Sequence, residues 1–362
     1  MRKQNMRIVI ALFGLILLIL DSKTVTTGMT EGITICLQTL IPSLFPFILL
    51  TRYLSPFLIG RDIFFLRPLG RLLGMPQGTQ SIFLIGLLSG YPVGAQYIGN
   101  AVESGQISRG NGQRMLAFCS NAGPAFLFGI GTRLFPSLMY CWIAWMIHII
   151  SAMIVARLTP CDEGEQMRIQ NNMRPSDSDA LSKATKTMVL ICAWVCIFRV
   201  IISFCQRWIL WRLPVTVQYL ISGFLELANG CCALAQVSSV TCRFVLFSAF
   251  LGFGGLCIGM QTAGVCGGLK LSWYLGGKVV QSILSVLLSL SIISREMIPI
   301  LMLTMAAVCT LYYAICKKSQ NGVAFSQNKL YNEKKRKRGI CYAFSKKSGA
   351  PLRLLHTQHP NQ

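Results

Sequence analysis

Charge is scarce in this chain. Only 13% of its 362 residues are charged, where a soluble domain carries roughly a quarter. Twelve residues are acidic and three are histidine. No HExxH, P-loop or partnered GxSxG motif occurs, which excludes the common hydrolase and nucleotide-driven chemistries. An enzyme working inside a membrane would need paired acids or a Ser/His set, and neither is present, so no catalytic residue is expected. No CxxC and no Cys/His cluster occurs either, so no metal, cofactor or disulfide framework is expected.

Hydrocarbon takes the place of charge. The chain is 53% hydrophobic with a mean hydropathy of +0.55. Apolar runs approaching the ~20 residues that cross a bilayer fall near 8–21, 33–55, 81–101, 114–131, 136–157, 184–206, 214–235, 242–266, 273–293 and 297–316. The fold class is an all-α, multi-pass membrane protein. The first run, Ile8 to Leu20, follows Arg2, Lys3 and Arg7. No small-residue cleavage site comes after it, so it reads as a retained helix. The 15 cysteines lie mostly within apolar runs and read as small buried hydrophobes. His148, alone in "WMIHIISAM", reads as a hydrogen-bonded packing residue.

A net charge of +22 could suggest nucleic acid, but its distribution argues otherwise. Eleven of the 34 Lys and Arg follow Cys316, and most others sit in loops. No basic stripe with interleaved aromatics exists, so nucleic acid is not an expected partner. Basic loops instead set orientation. The N-terminus, the 52–80 region (Arg52, Arg61, Arg67, Arg71), the central region (Arg157, Arg168, Arg174, Lys183) and the tail all read as cytoplasmic. The 22–32 loop reads as outside. The tail run 334–338, KKRKR, reads as a disordered extension, or as a contact for anionic lipid at ~1 kcal/mol per basic residue.

The polar stretch 158–183 cuts the membrane part into halves of similar size. The expected organisation is an N-terminal helix (1–30), a first repeat (31–157), a cytoplasmic linker (158–183), a second repeat (184–316) and a basic tail (317–362). Three apolar segments lie between the two cytoplasmic regions, and an odd number cannot all cross. Either 81–101 or 114–131 is therefore expected to be a re-entrant hairpin. G-x-x-x-G-x-Q recurs at 90–96 and 255–261. The first half starts from outside and the second from the cytoplasm, as in inverted-topology repeats with broken helices, whose binding sites lie near the midplane.

Few residues in these segments can carry chemistry. Glu226, in "GFLELANG", is the one carboxylate central in an apolar run, and such a residue is a functional candidate by default. Asn229 shares its helical face. Pairing with Arg199 is the structural alternative. Ser89, Gly90, Tyr91, Pro92, Gly94 and Gln96 interrupt another run with a hydroxyl, a phenol, an amide and a proline that removes a backbone donor. Ser120 and Asn121 precede Pro124 in the same way. A helix restarting after such a break turns its positive end toward the site, which favours an anion. Packing through Gly90 and Gly94 would need the glycines but not Asn121, Gln96 and Gln261.

At these residues a resemblance enters. "GLLSGYPVGAQ", "LAFCSNAGPAFLFGIG", "GFLELANG" and "FLGFGGLCIGMQ" are similar, in order, to successive signatures of the YlbJ-type sporulation integral membrane proteins. That family belongs to the nucleoside-recognition (gate) domain group, related to concentrative nucleoside transporters. The resemblance implies two gate-like repeats with re-entrant hairpins and broken helices. It implies movement of dipicolinic acid across the outer forespore membrane during endospore formation. It places substrate binding at Ser89, Gly90, Tyr91, Pro92, Gln96, Ser120, Asn121, Asn229, Gly255 and Gln261. Glu226 would repel a dianion, so it is expected to couple transport to a proton or cation. The partners expected are thus a small organic anion, a coupling ion and membrane lipid. A structural protein of sporulation membranes, or a carrier of nucleosides or cations, are the competing readings.

Overall fold

The computed structural model describes residues 2–61, 63–159, 166–167, 177–294 and 298–318. The KKRKR run, the rest of the tail and most of the central linker lie outside them. The helices in chain order are α1 (Arg2–Leu20), α2 (Ser22–Ile35), α3 (Ile41–Leu58), α4 (Arg67–Leu73), α5 (Gln80–Ser89), α6 (Val93–Glu103), α7 (Arg109–Leu116) and α8 (Pro124–Leu134). There follow α9 (Leu138–Leu158), α10 (Asp177–Trp208), α11 (Val215–Leu225), α12 (Leu227–Ala233), α13 (Val240–Phe253), α14 (Leu256–Val265), α15 (Leu271–Ile293) and α16 (Ile298–Lys318). Among the described residues six helical stretches are long and apolar enough to cross a membrane. Residues through Tyr312 belong to one unit, and the few described residues after it complete α16.

The expected outer loop 22–32 is helical. A π turn at Cys36–Leu40 joins α2 to α3, making a continuous stretch Ser22–Leu58. The polar residues of α2 are tolerated because their hydroxyls bond back one turn: Thr26 to the Ser22 carbonyl, Thr30 to Thr26 and Thr34 to Thr30, at 2.8–2.9 Å. Gly28 and Gly32, one turn apart, let α10 lie against this face. A Cβ at Gly28 would stand 2.8 Å from the Ser203 hydroxyl, and one at Gly32 2.9 Å from the Cys196 Cα. The two helices run antiparallel. Arg207 pairs with Asp21 at one end, and Arg52 meets Thr187 at the other.

Two short helices fold back on each other in 80–103. α5 and α6 have ten and eleven residues, about 15 Å each at 1.5 Å per residue, or half the ~30 Å hydrocarbon core. They fold against each other about Gly90–Pro92. Glycine makes this closure feasible: a Cβ at Gly86 would lie 3.3 Å from the Gly94 Cα, and at either glycine it would also strike the Cys119 carbonyl oxygen of the neighbouring 117–123 break. Arg114 in α7 bonds the carbonyls of Leu73, Ala156 and Thr159, and the Met167 N–H bonds the Gln77 carbonyl. The hairpin mouth, the start of α7 and the end of α9 therefore share the linker side. α7 and α8, separated by 117–123, cross to the other side, and α9 returns.

The second half contains the same kinds of element. α10 leaves the linker side. α11 and α12 form a second short hairpin about Glu226, close enough that a Cβ at Gly230 would strike the Gly223 backbone. α13 and α14 form a helix broken at Gly254–Gly255. This second hairpin enters from the side opposite the linker. The G-x-x-x-G-x-Q motif therefore falls on unlike elements, a hairpin arm at 90–96 and the second part of a broken helix at 255–261.

Close backbone contact at Gly86 and Gly94 gives a direct test. Gly86→Val or Gly94→Val is expected to destabilise by ~1–3 kcal/mol or more through overpacking. Gly129→Ala, whose added Cβ would meet only Ser43 Cβ at 3.5 Å, should be neutral. Thermal melting in detergent, followed by size-exclusion fluorescence, measures both.

Candidate functional site

Four helices begin at the centre of the chain's fold. α6 starts behind Pro92, α8 behind Gly123, α12 behind Glu226 and α14 behind Gly255. Gly90, Gly254 and Gly255 carry φ of 81°, 82° and 88°, a left-handed backbone that side chains disfavour. The breaks touch one another. A Cβ on Gly90 would lie 3.0 Å from the Gly123 nitrogen, and one on Gly255 would lie 3.1 Å from the Leu227 nitrogen. Between them lies a cavity of about 40 Å³ bordered by Tyr91, Gly123, Phe126, Glu226 and Gln261. That space suits water, whose share of liquid volume is ~30 Å³, and is too small for an aromatic acid.

Glu226 caps α12. Its carboxylate accepts from the Ala228 N–H at 3.0 Å, from the Asn229 N–H at 2.7 Å and from Asn229 Nδ2 at 2.6 Å. These donors are unpaired in any helix start, so a buried acid here is stabilised by the helix it begins. Asn229 serves Glu226 and does not face a separate ligand. Arg199 is not its counter-ion. The guanidinium pairs with Glu31, on the face shared by α2 and α10.

A second buried charge lies behind Tyr91. Lys278 in α15 is fully buried. Its ammonium donates to Gln281 Oε1 at 2.6 Å and to Asn121 Oδ1 at 3.3 Å. It stands 5.1 Å from the Tyr91 ring centroid and 5.9 Å from that of Tyr274, within cation–π range. Among the described residues no carboxylate pairs with it. Gln281 Nε2 also donates to Asn121 Oδ1 at 3.1 Å and to the His148 carbonyl at 3.2 Å. His148 Nε2 accepts from the Ala122 N–H at 3.0 Å, so His148 pairs a donor freed by the 117–123 break, in keeping with its expected packing role.

A far larger cavity, about 790 Å³, opens toward the linker side. It lies within the ~300–1,000 Å³ range of small-molecule sites. Arg52, Gln96, Tyr97, Lys186, Trp194 and Gln261 are among its walls. Gln261 and Ile191 border both cavities, so a single layer of side chains separates the vestibule from the centre. Arg52, expected in a cytoplasmic loop, is instead a buried residue of α3. It bonds Gln96 Oε1 and, at 3.2 Å, Thr187 Oγ1.

The sequence candidates thus divide by place. Tyr91, Glu226 and Gln261 border the small cavity; Pro92, Gln96 and Gln261 border the large one. Gly90 and Gly255 shape the breaks. Ser89 is committed to Thr51 and the Ile85 carbonyl, and Asn121 to the Lys278 cluster. The Ser120 hydroxyl is buried with no hydrogen-bond partner among the described residues. Two charged residues were missed. Lys278 had a legible signal, an amine in the middle of the 273–293 run. Arg52 was hidden by its nearness to a segment end. Among the described residues no group of three His, Cys, Asp or Glu could hold a metal.

The comparisons bear on this architecture. The chain is 23% identical to the "Sporulation integral membrane protein YlbJ" of Bacillus subtilis (strain 168) over 282 residues, covering 65% of this chain and 68% of the relative. The chain is related to the YlbJ-type proteins. No family model and no solved structure matches it. Relationship and helices agree on a multi-pass integral membrane protein.

In this chain the Lys278 cluster ties α15 to the 117–123 break. Lys278→Met and Asn121→Ala are each expected to destabilise by ~1–3 kcal/mol, because each leaves a buried polar partner unpaired. In a double-mutant cycle their effects should fall short of additive by ~0.5–3 kcal/mol. Denaturant unfolding in detergent measures the cycle, and strict additivity would refute the link.

Proposed function

We propose that this protein carries a small organic anion, dipicolinate first among candidates, across a membrane during endospore formation. The observation that supports it most is the meeting of two short hairpins and two broken helices around a buried polar centre, one side-chain layer from a 790 Å³ vestibule. Backbone broken at membrane depth is tolerated where it is buried or lines a wet cavity, and transporters use such breaks for binding. The halves are read as inverted-topology repeats, because one hairpin enters from each side. This is also the basis for a kinship with nucleoside-transporter architecture. The outer forespore membrane is the proposed location, by analogy with the sporulation relative. Glu226 is proposed as the coupling group, because it borders the central cavity and is held by neutral donors alone.

One observation favours a second reading, a structural or assembly protein of sporulation membranes. Ser89, Asn121, Asn229 and Glu226 all find partners inside the protein, as pure packing would require. Transport of nucleosides or cations is the remaining alternative within the first reading. Uptake into proteoliposomes separates them. Wild type should accumulate dipicolinate above empty vesicles, and Glu226→Gln should lower uptake about tenfold or more, as expected when a buried charged interaction is lost. Uptake by Glu226→Gln equal to wild type at every pH removes Glu226 from coupling. Absence of wild-type uptake for dipicolinate, nucleosides and cations alike favours the structural reading.

A further inference from the structure

Buried guanidinium groups need acceptors, and this chain offers an internal contrast. Arg114 is buried and bonded by three backbone carbonyls. Arg199 and Arg207 have carboxylates, Glu31 and Asp21. Arg52 has neither. It is 6% exposed, and its two partners, Gln96 and Thr187, are neutral side chains. Its Nε is buried without any hydrogen-bond partner. Among the described residues no carboxylate pairs with it. A buried charge held this way is costly unless a counter-charge arrives.

The surroundings specify the missing group. Arg52 is a wall of the 790 Å³ cavity, which is ample for a small organic molecule. Asp179, also on that wall, pairs with Lys183 at 2.7 Å, and Lys186 is a further, exposed cation of the wall. Asn100 adds an amide, and Trp194 and Tyr97 supply flat apolar surface. The Tyr97 ring lies 5.2 Å from the Arg52 guanidinium and fixes its plane. A planar guanidinium suits a carboxylate in geometry as well as charge.

We propose that Arg52 is the recognition residue of an anion site in the linker-side vestibule, taking one carboxylate of a flat aromatic dicarboxylate while Lys186 faces the other. The assignment rests on the reading of organic-anion transport and moves first binding away from the central cavity, which has room only for water.

The test is titration calorimetry on the full-length protein in detergent, with dipicolinate and its uncharged diamide as probes. Dipicolinate should bind and the diamide should not. Arg52→Gln should weaken binding about tenfold to a hundredfold, the loss expected for a hydrogen bond to a charged group, and Arg52→Lys should fall between. Arg52→Gln that melts like wild type and binds like wild type overturns the site, as does wild-type protein that binds neither probe or both equally. Should the Arg52 variants not fold, Lys186→Glu at its exposed position serves: wild-type affinity in it overturns the site, and loss of affinity supports it. Proteoliposome uptake keeps the two ideas apart. Undiminished uptake by Arg52→Gln would reject this site and leave anion transport standing, whereas dipicolinate binding at Arg52 without uptake would reject transport and keep the site.

Discussion

Every interrupted helix in hydrocarbon must satisfy its freed backbone groups inside the protein, because lipid offers no partner. The four breaks of this chain meet that demand in different ways, and much of the fold follows from how they do so. The 226 break supplies its own acceptor, since Glu226 binds the first N–H groups of α12. The 117–123 break borrows from neighbours: His148 takes the Ala122 N–H, and Asn121 is held by Lys278 and Gln281. The Tyr91 phenol donates to the Leu251 carbonyl, one turn before the Gly254–Gly255 break. A break in one half is thus secured by a residue from the other, and the halves cannot separate without exposing polar backbone to lipid.

Glycine sets how closely this can be done. Backbone packs on backbone at Gly86, Gly94, Gly230 and Gly277, where a methyl group would collide with main-chain atoms. Such contacts have small area, and their strength lies in van der Waals fit and not in the hydrophobic effect, which drives little between helices already in lipid. The close packing also leaves only a water-sized cavity, about 40 Å³, at the centre. A closely packed middle thus stands beside an open vestibule on the linker side.

The sequence disclosed the topology better than the chemistry. Counting apolar segments between basic loops required a hairpin, and Pro92 with its flanking glycines marked the hairpin's tip, because such residues break helices wherever they fall. Glu226 was legible for the same kind of reason, as a carboxylate with no solvent nearby. The partner of Arg199 was not legible: Glu226 was near enough in sequence to suggest a pair, yet Glu31, 168 residues away, holds the guanidinium. The 22–32 stretch looked like a loop because its threonines are polar, and hydropathy does not register hydroxyls that bond back to their own helix. Arg52 was counted with the basic 52–80 region because it lies at the end of an apolar run and basic loops mark the cytoplasmic side. Only packing reveals that α6 and α10 close over it.

The placement of charge then constrains what an anion could do here. Arg52 and the exposed Lys186 stand in the vestibule and the buried Lys278 lies behind Tyr91, while the carboxylate of Glu226 borders the centre, with Gln261 shared by both cavities. A dianion held at Arg52 therefore sits at an electrostatic minimum on the near side of a like charge. Moving inward, it would leave a guanidinium for a carboxylate, and low local dielectric would magnify the opposition. On the proposed reading of anion transport, passage would need that charge to be neutralised as the anion arrives, by a proton or a cation at Glu226. Coupling would then be a consequence of the charge order along the path, and an empty centre lined by Glu226 would stay closed to anions until the coupling ion was in place.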